Sequence, residues 1–136
     1  MIAVLFSLLA CERQPSFVGP WEVVQVQRGE EVVEDAGFFD FDGRLSAVVL
    51  LRYSFSMQGG FEPIETPAPV VMGTNVEAVD IKTFYNERPE INTVELDELG
   101  VMDIEAYTSA RAVLIGEIRW PGDGDEELES RLVLRR

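Results

Sequence analysis

The chain has 136 residues, 25 acidic against 11 basic, for a net charge of −14, with no histidine and a single cysteine. Such an acidic balance argues against nucleic acid or anionic headgroups as the partner surface and favours a basic protein, a cationic ligand or a divalent cation. Without histidine and with one thiol, Ser–His and Cys–His catalysis, histidine or thiolate metal sites and disulfides are all excluded. A hydrophobic share of 46% with 10% aromatics still describes a globular chain.

Residues 2–10 read IAVLFSLLA, an apolar run shorter than the roughly 20 residues that cross a bilayer as a helix. Its length is that of a signal-peptide core, which runs to about 7–15 residues. Leu8-Leu9-Ala10-Cys11 resembles the lipobox of bacterial lipoproteins. The resemblance implies that residues 1–10 are a signal peptide and that Cys11 becomes an acylated N-terminus, carrying diacylglycerol and chains such as palmitate. Met1-Ile2 lacks the positive charge such signals usually carry, so either the start lies upstream or the signal is minimal. Glu12-Arg13-Gln14-Pro15-Ser16 follows at once, so residues 11–18 are expected to form a lipidated tether and residues 19–136 one domain. Glu12, where an inner-membrane retention signal would have Asp, points to the periplasmic face of the outer membrane.

The pattern after the tether is β throughout. Residues 21–27 alternate around Trp21, Val23 and Gln25, and 37–41 form a short aromatic strand. Asp42-Gly43 is a hairpin turn, and 45–55 follow as one long strand with Leu45, Ala47, Val49, Leu51, Tyr53 and Phe55 on one face. Residues 57–73, rich in Gly and Pro, are predicted as a long loop, either a binding loop or a slack connection. Strands are then expected over 76–84, 91–96, 102–107, 112–120 and, after the turn at 121–125, from Leu128 to Leu134. About eight strands in order, with no helix beyond the signal, predict an all-β, eight-stranded antiparallel up-and-down barrel, because closure removes sheet edges.

Gly19-Pro20-Trp21 at the first strand, Phe39 and Phe41 followed after a gap by Arg44, and the closing Leu132-x-Leu134-Arg135 are similar to features of lipocalins and of bacterial lipocalin-like lipoproteins. The resemblance implies that the Trp21 indole plugs the closed end of a barrel and that the interior takes a hydrophobic cargo.

An eight-stranded barrel is just wide enough to be filled by side chains or to hold one small ligand. Trp21, Phe39, Phe41, Tyr53, Phe55, Met57, Met72 and Trp120 are the candidate ligand-binding residues. Phe55 and the 57–73 loop fall at one end, and methionines adapt to varied ligands. Asp123, Asp125, Glu126 and Glu127 lack the EF-hand glycine, since Leu128 stands at the sixth position, so they read as a solvated turn. No metal, cofactor or catalytic role is expected. The leading expectation is a membrane-anchored module binding a small apolar or amphipathic ligand. The alternative is a filled barrel that binds a basic protein through the acidic stretch at 87–105.

Overall fold

A computed structural model describes residues 17–43, 45–77, 93–122 and 128–136. Ten strands run in chain order: β1 (Gly19–Arg28), β2 (Glu31–Phe41), β3 (Ser46–Leu51), β4 (Tyr53–Ser56), β5 (Gly60–Pro63), β6 (Val70–Glu77), β7 (Thr93–Leu96), β8 (Gly100–Tyr107), β9 (Arg111–Ile118) and β10 (Leu128–Arg135). Eight of them close into an antiparallel barrel in the order β1-β10-β9-β8-β7-β6-β3-β2, with β1 paired to both the second and the last strand. The predicted eight-stranded barrel is therefore the fold, and among the described residues there is no helix.

Alternation decides what faces inward. Trp21 and Val23 on β1, Phe39 and Phe41 on β2, Ala47, Val49 and Leu51 on β3, and Leu132 and Leu134 on β10 are all buried. Fully burying a large apolar side chain stabilises the fold by roughly 1.5–3 kcal/mol each, and most of these residues have essentially no exposed surface. A register shift between Val23 and Gln25 inserts one extra residue in β1 against β10 and one in β2 against β1. Val26 and Arg28 therefore point inward beyond it, and Gln25, expected on the inner face, is only partly buried.

Four boundaries differ from expectation, each for a local reason. β2 begins at Glu31, six residues earlier than predicted, after a two-residue turn in which Gly29 takes φ 60°. Its first half, Glu31–Asp35, carries no apolar alternation because most of those side chains are exposed. The expected long strand over 45–55 starts only at Ser46, which leaves Leu45 exposed in the turn and not inside, and it breaks at Arg52, whose amide donates to the Ala36 carbonyl at 2.8 Å while the chain leaves the barrel wall. The predicted loop at 57–73 holds β5 and the start of β6, so β3 pairs with β6 across an excursion formed by the β4–β5 hairpin. Strand 76–84 thus starts at Val70, and its part beyond Glu77, with Ile81, lies outside the described residues.

The tether prediction meets one unexpected residue. Phe17 is buried, with its ring 5.0 Å from Trp21 and 5.3 Å from both Phe41 and Tyr107. Cys11, the signal segment, Arg44, the acids at 123–127 and residues 87–92 of the acidic stretch lie outside the described residues.

Candidate functional site: two aromatic plugs and a cleft at the barrel mouth

The end where the chain enters the barrel is closed. Trp21 has no exposed surface, and its Nε1 donates to the Phe17 carbonyl at 3.0 Å. The Arg136 guanidinium lies 3.9 Å from the centre of the Trp21 ring, and its Nη1 donates to the Val18 carbonyl at 3.1 Å. Burial pushes the Tyr107 hydroxyl above its usual pKa, and the nearby Arg136 charge partly opposes that rise. Burial likewise lowers the Arg136 pKa, with Tyr107 opposing. The plug is aromatic, capped by one cation.

The opposite end is covered by the β4–β5 hairpin. Trp120 Nε1 donates to the Tyr53 carbonyl at 2.9 Å, and the Phe55 amide donates to the Pro121 carbonyl at 2.8 Å. Gly122 makes that approach possible: at φ 96° it passes so near the Phe55 carbonyl that a Cβ would sit 2.7 Å from the oxygen. Phe61 meets Phe55 at 5.0 Å and Trp120 at 6.4 Å, both edge to face. Beneath the hairpin Arg28 is 1% exposed. Its Nη1 donates to Ser130 Oγ at 2.7 Å and to the Ile118 carbonyl at 3.3 Å, and its guanidinium lies 4.7 Å from the Phe55 ring centre. Nothing in the sequence singled out Arg28: the two-residue period from Trp21 and Val23 places it outside, and only the phase change at the bulge turns it inward.

Beside the hairpin, where β3 and β6 part beyond Val49 and Val70, a cleft of about 650 Å³ opens at this mouth. Its floor consists of buried side chains: Val49, Leu51, Met72, Leu99 and Trp120. Ile64, Pro67 and Ala68, from the segment returning to β6, form one wall. Asp97 and Glu98 in the β7–β8 turn and Arg119 after β9 supply charge at the rim. Leu99 reaches the floor because that turn is short, with the Leu99 amide donating to the Leu96 carbonyl at 2.9 Å. The arrangement pairs an apolar floor with a charged edge, and the volume suits one drug-sized molecule.

The eight predicted ligand-binding residues divide between the two ends. Met72 and Trp120 line the cleft. Tyr53 and Phe55 stand behind Trp120 in the hairpin plug. Trp21, Phe39 and Phe41 belong to the packed interior and the closed end, and Met57 stands 61% exposed in the β4–β5 turn. Leu99, Ile64 and Ala68 were not foreseen, since turn and loop positions carry no periodic signal. Among the described residues no group of acids could hold a metal ion. The chain matches no protein-family profile, no curated protein and no solved structure.

Proposed function

We propose that this protein is a lipid-anchored binding module of the bacterial envelope, held at the periplasmic face of the outer membrane through acylated Cys11. The mouth cleft takes one small apolar or amphipathic molecule. The observation that carries this reading is the cleft of about 650 Å³ with an apolar, buried floor. The apolar part of a ligand displaces water from Val49, Leu51, Met72 and Leu99, and its polar part stays at the rim beside Asp97, Glu98 and Arg119. Binding rather than catalysis is proposed, because the charged groups border the cleft and the floor is hydrocarbon. The Leu8-Leu9-Ala10-Cys11 sequence supports the anchor.

Native mass spectrometry of the full chain from a bacterial envelope extract tests both parts. The covalent mass should equal residues 11–136 plus acyl groups, with an additional non-covalent adduct of lipid-like mass. Ala68→Trp, at an exposed wall position, fills the cleft without touching the core and should remove the adduct. Bare protein after exposure to lipid mixtures would end the ligand reading. It would favour the packed barrel as a docking module for a basic protein.

A further inference from the structure

Three charged side chains border the mouth cleft, and they are not equivalent. Asp97 and Glu98 stand side by side in the β7–β8 turn, and Arg119 follows β9. We infer that the molecule taken by this cleft is an organic cation: an apolar body bearing a protonated amine, with the ammonium seated at the Asp97–Glu98 turn. The inference rests on the mouth cleft being a ligand site, as proposed above, and adds the sign of the ligand's charge.

The turn holds its two carboxylates on a fixed frame. The Asp97 amide donates to the Gly73 carbonyl at 3.0 Å, and the Arg119 amide donates to the Leu99 carbonyl at 2.8 Å. The turn is thus tied to β6 on one side and to the end of β9 on the other. The Asp97 carboxylate lies against β6 at Gly73, where an added Cβ would overlap it, and Gly73 follows the buried floor residue Met72. Among the described residues neither carboxylate joins an ion pair or accepts a hydrogen bond, whereas Arg119 has a further interaction of its own. Arg28, buried beneath the hairpin, does not line the cleft. An ammonium at the turn therefore gains two open acceptors at once, while an anion there meets two like charges against one engaged guanidinium. The net charge of −14 adds a long-range attraction for cations approaching the mouth. A bare metal ion is a poor fit, because Val49, Leu51, Met72 and Leu99 offer hydrocarbon where further oxygen ligands would have to stand.

Isothermal titration of the full chain with octylamine, octanol and octanoate, at neutral pH and low salt, tests the sign directly. The three probes share one hydrocarbon chain and differ in the charge of the head. Octylamine should bind about tenfold tighter than octanoate, with octanol between them, and added salt should narrow the spread. Asp97→Asn with Glu98→Gln, at two exposed positions, should bring octylamine down to the affinity of octanol measured on the same variant. Ala68→Trp should abolish binding of all three. If none of the probes binds the wild type, the ligand reading of the cleft fails and this inference with it. If the three bind equally, if octanoate leads, or if the amine keeps its lead in the double variant, the cleft is a ligand site and its preference for cations is overturned.

Discussion

The Trp120 indole donates to the Tyr53 carbonyl at 2.9 Å, and through this bond the wall of the barrel holds the hairpin that covers its mouth. The two residues are 67 positions apart in sequence. Trp120→Phe keeps an aromatic ring but leaves a partly buried carbonyl without its donor. The expected loss is about 1–3 kcal/mol, read by chemical denaturation. Hydrogen exchange at the Phe55 amide should accelerate more than at β9 amides, because the hairpin opens before the barrel does.

Arg28 shows how a buried cation is tolerated. Its guanidinium meets Ser130, the Ile118 carbonyl and the faces of Phe55 and Trp120 at once. Arg28→Ala should cost about 3–5 kcal/mol, since Ser130 and the aromatic faces lose their partner and a cavity remains. Lysine keeps the charge but not the planar fork, so Arg28→Lys should recover only a minor part of the lost stability. Equal stability of the Lys variant and the wild type in urea titrations would sink this account.

Gly37 is a point of backbone contact. At φ 148° it faces Leu50 so closely that an added Cβ would overlap the Leu50 carbonyl. Gly37→Ala should therefore destabilise the β2–β3 pair by several kcal/mol, on the order of the largest single-site effects. Gly29→Ala meets no atom within 4 Å and bears only its φ of 60°, so it should cost about 1 kcal/mol. The ranking of the two melting temperatures checks the claim.

Tyr107 gives stability an alkaline limit. Burial raises the folded-state pKa of its hydroxyl above the ordinary value of 10.0, so the folded state favours the neutral form. The contribution is fully present below the unfolded pKa and falls away as pH rises through the folded one. Stability should thus decline above about pH 10. Tyr107→Phe should lessen that decline while changing the neutral-pH melt little; equal pH profiles for the two proteins would count against it.

The sequence disclosed the barrel because the wall obeys a two-residue period. Trp21 and Val23, Phe39 and Phe41, Ala47, Val49 and Leu51, and Leu132 and Leu134 all point inward as their spacing requires. What it hid lies where another constraint overrides the period. The bulge after Val23 changes the inward positions of β1, and the exposed half of β2 has no face to alternate against. Arg52 turns the chain away by a bond to Ala36 that nothing nearby in sequence announces. For the candidate site, Trp120 was legible as an apolar strand position and Met72 only as an adaptable methionine at the end of a predicted loop. Leu99 and Ala68 were not, because Leu99 reaches the cleft from the short β7–β8 turn and Ala68 from the excursion of residues 52–69, neither of which carries a period.

The seating of Phe17 has a mechanical consequence. A pull on the start of the chain reaches the fold at a ring wedged among Trp21, Phe41 and Tyr107, and not at a loose strand end. From there the load passes into β1, which is bonded along both sides, to β2 and to β10. Peeling one edge is impossible in a closed wall, so two ladders must shear together. If the chain is anchored through Cys11, as proposed, this is where the anchor's load enters the barrel.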